Sequence, residues 1–421
     1  MDKFAINVQS EIGKLNGVLV HTPGAEVENM TPENAERALY SDILNLSVAS
    51  PEYNDFLSVL KKSTNVFEVK DLLGEVLNLE EARQYLLSKI CGTEKIKHPS
   101  PEVCQILSEQ SAESLAKQLI EGVPMIKNNL THFLDNERYS IHPLPNFFFT
   151  RDASFSMGKQ IMISKMANAV RDREAMIMET IFKFHNDFET TVVNPILNYD
   201  KSEKGTIEGG DVIIASENIF IVGNGNRTST QGIDSLIEHL KTYPGEKHLL
   251  VQELPKNPES FIHLDMTFTL LDRDQCMIYE PLILHSKKHF TIHITIDGDK
   301  VKSIKEEKNL LKSLKKLGMD LNPINCGGNN DLYIMEREQW QSGANFFSLE
   351  PGKVIGYERN IRTIDALNKN GYEVISANDI ATGKVNINDY KKAVITIKGD
   401  ELSRGGGGAR CMTMPLNREK I

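Results

Sequence analysis

The chain has 421 residues, 40% of them hydrophobic and 25% charged, and a formal net charge of −10. That balance fits a globular protein with ample core and excludes a disordered chain. It also argues against nucleic acid as a partner, which needs a basic face, and against a membrane span, because no apolar run approaches the roughly 18 residues one requires.

A small cationic substrate suits the acidic balance. The amino terminus, MDKFAINVQSEIGK, lacks the apolar core of a secretory signal, so the cytoplasm is the expected location. Cysteines stand at positions 91, 104, 276, 326 and 411, scattered and without a Cys-x-x-Cys pair, which signals neither a disulfide framework nor a zinc site. Strand, helix and strand open the chain. LNGVLVH (15–21) is a β-rich run, PEYNDFLSVLKK carries Tyr53, Phe56, Leu57 and Leu60 at helical spacing, and NVFEVKDLL returns to a strand pattern.

From 73 to 134 the texture turns helical: VLNLEEARQYLLSKI, SPEVCQILSEQ and SAESLAKQLIEG are amphipathic, with Ser100 and Ser111 as expected amino-terminal caps. This reads as an all-helical insertion dividing the chain into 1–72, 73–134 and 135–421, although helices of the main core would look the same. Alternation then resumes. A hairpin (153–165), a helix (170–184) and a strand (189–193) are followed by a strand pair (207–222) turned at Glu217 and Asn218, a helix (231–241) and a strand (248–252). Two strands within 262–284, a helix (306–317), and the segments 329–356, 363–369 and 372–376 continue the rhythm. With the opening unit, a strand pair, helix and strand recur about five times, which suggests radial or stacked repetition.

Five stretches carry chemistry. In IHLDMTFTL (262–270) apolar residues alternate with His263, Asp265, Thr267 and Thr269, so a strand would set His263 and Asp265 on one face, a base beside a carboxylate. A solvated edge strand has the same alternation. LPNFFFTRD ends in Asp152 behind three aromatics, which exclude water from an acid that binds a cation; a core strand ending in a surface turn also fits. IEGGDVI sets Glu208 and Asp211 around two glycines, flanking a ligand or making a tight turn, and GNGNRT ends in Arg227, which can receive a carboxylate. Last comes SRGGGGARCMTMP (403–415), where glycine backbone that packs close to a small ligand leads to Cys411, a candidate nucleophile. A glycine-rich tail with an incidental cysteine is the alternative, and a phosphate cradle lacks its Gly-Lys-Ser/Thr.

Taken in order, LPN..FTRD, EGGD, HLD...FT and RCM.MP resemble the arginine deiminases of the guanidino-modifying enzyme superfamily, from about Leu19 to Glu419 and with the helical stretch included. The resemblance implies an α/β fold, a five-module ββαβ propeller with pseudo-fivefold symmetry and an inserted all-helical bundle. It implies hydrolysis of L-arginine to L-citrulline and ammonia through an S-alkylthiouronium on Cys411, with His263 as general acid and base and Glu208 bonded to that histidine and the substrate. Asp152 and Asp265 grip the guanidinium. Asn146, Arg171 and Arg227 hold the α-carboxylate, Arg171 being preferred to Arg173 because it stands three residues before Glu174. No metal or organic cofactor is implied, and the family tends toward homo-oligomers. One position departs from the pattern: Gly406 stands where the family's Arg-Gly-Arg-Gly-Gly run has its second arginine, leaving Arg404 or Arg410 as substitutes. The alternatives are hydrolysis of another guanidino or ureido compound such as citrulline, amidino transfer, or a non-catalytic guanidino-ligand binding protein.

Overall fold

Short apolar runs cut by turn residues pair with the next run along the chain. Ser154–Met157 turns back through Gly158, at φ +58°, into Gln160–Ile163, in a register from Ser154↔Ile163 to Met157↔Gln160. The computed structural model describes residues 3–421 apart from 32–34, 36–38, 41, 93–99, 197–204 and 330. After the helix Asp172–Phe184, the strand Thr191–Val193 joins parallel to Gln160–Ile163.

The same order, an antiparallel pair, a helix and a parallel strand, recurs in four further sheets. Val212–Ser216, Ile219–Asn224, the helix Thr230–Leu240 and Glu246–Glu253 form one, widened by the hairpin Thr291–Asp297 and Lys300–Glu307. Phe268–Leu270, Gln275–Ile278, the helix Leu310–Lys316 and Asn322–Asn325 form the next. In the fourth, Phe347–Glu350 and Lys353–Tyr357 precede the helix Ile361–Lys369 and the strand Glu373–Ser376, but Ala393–Ile397 slots between the pair and that strand. The fifth draws on both ends of the chain: Met414–Arg418 runs antiparallel to Leu15–Val20, which lies parallel to Asn65–Glu68 beyond the helix Leu46–Ser63.

Thr230–Leu240 shows why the helices form. Ser229 caps it by accepting from the Gly232 amide, and Ile233, Leu236, Ile237 and Leu240 bury one face at helical spacing. The helical stretch between the first and second units obeys the same rules. Ser100 and Ser111 cap Pro101–Glu109 and Ala112–Glu121 as expected, accepting from the Val103 and Ser114 amides. Leu73, Leu86, Leu115 and Leu119 share one core with Ile177, Met178 and Ile181 of Asp172–Phe184, so that helix fastens the stretch to the sheets. No helix among the described residues is long and apolar enough to cross a membrane.

Three expectations need correction. The segment 262–270 is strand only at Phe268–Leu270; Leu264–Met266 is a 3-10 turn, and its alternating polar residues point at buried partners rather than along one strand face. Thr267 Oγ1, for example, donates to the Leu264 carbonyl and Thr269 Oγ1 to that of Ala344. The helix expected from 306 begins at Leu310, where Asn309 caps it, because Lys300–Glu307 pairs as a strand. Finally, Cys91 and Cys104 form a disulfide between the helices Glu80–Gly92 and Pro101–Glu109, a pairing set by helix packing that the scattered spacing does not signal.

Candidate active site

In all five sheets the residues just ahead of the first strand meet one another. Asp152 ends the turn Thr150–Ala153, Glu208 precedes Gly209–Asp211, His263 and Asp265 flank Leu264, Asn345 precedes Phe347–Glu350, and Cys411 precedes Met414–Arg418. None of these six residues is more than 3% exposed. The glycines of the second turn are there for want of room. A Cβ on Gly210 would sit 2.6 Å from the His263 ring, and one on Gly209 would sit 2.1 Å from the Arg151 carbonyl oxygen.

The imidazole of His263 is held from both sides. Nε2 lies 2.9 Å from Glu208 Oε2 and Nδ1 lies 3.6 Å from Asp152 Oδ1. Burial pushes the ring's pKa down, yet Asp152, Glu208 and Asp211 outweigh it and hold the group up at about 9. Glu208 is held below the usual carboxylate range: burial opposes this, but His263, Arg227 and Arg171 prevail. The turn is pinned from beneath by Asp211, whose Oδ1 accepts from the Leu264 amide at 2.9 Å and whose carboxyl burial pushes up to about 7.

Among the described residues, no cationic side chain hydrogen-bonds to Cys411 Sγ. Sγ lies 3.6 and 3.9 Å from the two oxygens of Asp265, and Asn345 Nδ2 donates to it at 3.2 Å. Burial, then Asp265 and Asp152, push the thiol well above its ordinary value. Each acid holds one protein arginine: Arg171 Nη1 donates to Asp152 Oδ2 and Arg410 Nη1 to Asp265 Oδ2, both at 2.8 Å. Asp152 Oδ1 has no hydrogen-bond donor among the described residues, so the cluster presents unmet acceptor capacity beside the thiol. Asp152, Glu208 and His263 are close enough together to form a metal-ligand set, but the histidine and Glu208 engage each other directly.

A cleft of about 310 Å³ is lined in part by Ile262 and Met266, the chain neighbours of His263 and Asp265. Arg227, Asp42, Arg404 and Gly406 line it as well.

The arginine deiminase family model matches residues 36–418. The chain belongs to the arginine deiminase family. The arginine deiminase of Mycoplasma capricolum is 34% identical over 422 residues, covering 99% of this chain and 98% of its own length. That of Bacillus cereus is 34% identical over 436 residues, covering all of both chains. Among solved structures, SxtG, an amidinotransferase from Microseira wollei, aligns over 99% of this chain and 98% of its own with a TM-score of 0.51 and 15% identity. Unliganded AgrE aligns over 96% of this chain with a TM-score of 0.52 and 14% identity, this chain spanning 40% of AgrE. At those identities the two structures speak for the shared mixed α/β fold alone.

Within this arginine deiminase family member, the five residues expected to do chemistry come together, and those expected to bind carboxylate do not all share the cleft. Arg227 lines it, 3.9 Å from Glu208 Oε1. Arg171 lies among Glu174, Asp152 and the Asn146 carbonyl, donating to all three. Arg410 is no substitute for the missing loop arginine, being buried between Asp265 and Glu11, to which Nε and Nη2 donate at 3.1 and 3.0 Å. Sequence reasoning missed two residues and gave a third no role. Asn345 accepts from the Arg410 and Cys411 amides through Oδ1, Glu11 anchors Arg410, and Asp211 braces the histidine turn. A lone asparagine in GANFF and a glutamate near the amino terminus carry no local signal, whereas Asp211 stood in view beside the two glycines.

Proposed function

We propose that this chain hydrolyses L-arginine to L-citrulline and ammonia on the buried cluster. The observation that carries the reading is the placement of two carboxylates, Asp152 and Asp265, against His263 and Cys411, with no cationic side chain among the described residues hydrogen-bonded to the sulfur. A guanidinium is planar, stays charged near neutrality and presents five N–H donors, so two acids grip it and orient its carbon toward the sulfur. It also brings the positive charge that this thiol lacks, lowering the cost of the thiolate when substrate is bound.

As the guanidinium binds, the Cys411 thiol gives up its proton to solvent, and the thiolate attacks the guanidinium carbon, forming a C–S bond and a tetrahedral adduct. The His263 imidazolium gives its proton to the departing nitrogen, the C–N bond breaks, and ammonia leaves an S-alkylthiouronium on the enzyme. The neutral imidazole then takes a proton from water as the water oxygen adds to the same carbon, and collapse expels the thiolate and leaves citrulline. Glu208 keeps the ring charged for the first step, and general acid-base help of this kind is worth about 10²- to 10⁴-fold. Arg227 receives the α-carboxylate, with Asn146 and Arg171 completing that set by family likeness.

The fold reading goes one step further. Five units of like connection order whose leading turns meet support a five-module propeller with pseudo-fivefold symmetry, with 73–134 an inserted helical unit between 1–72 and 135–421. A homo-oligomer in the cytoplasm completes the proposal, to be checked by sedimentation and by cell fractionation. The chemistry is tested by acid-quenching the enzyme with L-arginine within its first turnover and weighing the intact chain. A mass increase equal to arginine minus ammonia, mapped to Cys411, is expected; turnover with no such adduct at any quench time, or an adduct elsewhere, refutes it.

A further inference from the structure

Gly406 leaves the outer cleft without the side chain that family likeness would put there, and a Cβ at Gly406 would meet nothing within 4 Å. Two residues earlier, Arg404 lines the same cleft, and so does Asp42 from the opposite end of the chain. They form an ion pair: Arg404 Nε donates to Asp42 Oδ2 at 3.1 Å, and Nη2 donates to the same oxygen. The side chains are 42% and 51% exposed, unlike the buried pairs around Cys411. A pair this open to water contributes little to stability, so its partners exchange readily for other charges.

What surrounds the pair is held more firmly than the pair itself. Glu52 accepts from the amides of Asp400, Glu401 and Leu402, and Glu401 bonds the Asn45 amide through one oxygen and Arg404 Nη1 through the other. Asp42 keeps Oδ1 on the Ile43 amide. The backbone on both sides is therefore fixed while two opposite charges face the cleft. The head of an α-amino acid carries the same two charges on one carbon. Arg227 supplies a cation to the cleft, and the ammonium needs an anion beside it.

We infer that Asp42 and Arg404 together form the receptor for the zwitterionic head of the substrate, Asp42 taking the α-ammonium and Arg404 joining Arg227 on the α-carboxylate. This rests on the arginine reading above and makes the enzyme selective for free α-amino acids over other guanidines. The pair opens as substrate enters, each partner exchanging an intramolecular contact for one to the ligand.

The test measures binding in a Cys411→Ala background by calorimetry, with three ligands: L-arginine, agmatine, which lacks the carboxylate, and 5-guanidinopentanoate, which lacks the amine. Arg404→Ala should weaken L-arginine and 5-guanidinopentanoate by about tenfold or more and leave agmatine within about twofold. Asp42→Asn should weaken L-arginine and agmatine and spare 5-guanidinopentanoate. The exchanged pair Asp42→Arg with Arg404→Asp preserves a clasp between the loops but reverses the receptor, so it should bind L-arginine no better than the single variants. Recovery of binding by that exchange, or an equal loss on all three ligands, means the pair only ties two loops together and overturns the inference. Failure of the enzyme with Cys411 intact to release ammonia from L-arginine would instead strike the underlying reading.

Discussion

The reacting cluster and the outer cleft are built from the same kinds of residue and differ in what holds them. Around Cys411, arginines and acids are buried and paired: Arg410 is fixed by Glu11 and Asp265, Arg171 by Glu174 and Asp152. Removing one member there strands another charge out of water, which is expensive, so the geometry is rigid. At the mouth, Arg404 and Asp42 are half exposed on loops and part at little cost. The contrast separates two tasks. On the proposed reading, chemistry belongs to turns locked ahead of strands, and recognition to side chains free to trade partners.

Breaking the first region should cost most. Cys411→Ala is expected to lower turnover by at least about 10⁴-fold while L-arginine still binds; undiminished activity would remove the thiol from the mechanism. Asn345→Ala deletes the donor to Sγ and the acceptor for two amides of the cysteine turn, and a misplaced nucleophile should lower kcat by about 10²-fold with KM little changed. A rise confined to KM would reassign Asn345 to binding.

Glu208→Gln tests the histidine by its pH dependence. His263 is held up at about 9 from its ordinary 6.5, so the alkaline limb of kcat/KM should move to lower pH when the glutamate charge is lost. Stability follows with a definite sign. The lowered Glu208 contributes stability above its ordinary 4.5 that is lost as pH falls, and the raised His263 contributes stability that is complete below 6.5 and lost as pH rises through about 9. The drop in Tm on Glu208→Gln should therefore be greatest between 4.5 and 6.5, and a drop independent of pH would mean the pair is not charged. The smallest effect on catalysis is expected far from both regions. Leu119→Ala, in the helical core, should lower stability by about 2–5 kcal/mol yet leave KM for L-arginine within about twofold at 25 °C.

The sequence by itself determined the order of most strands and helices, both serine caps of the helical stretch, and which cysteine, histidine and acids were to be sought together. Those are local facts: periodicity, cap chemistry and short motifs are written in neighbouring residues. The shape of 262–270 was not, because alternation of polar and apolar residues looks the same whether the polar ones face water along a strand or buried partners around a 3-10 turn. Nor could spacing say that Glu11 holds Arg410 across 399 residues, that Asn345 touches Sγ, or that strand 414–418 pairs with 15–20. Such contacts depend on which surfaces the packed sheets bring together, and a buried charge finds its partner only after the backbone has closed around both.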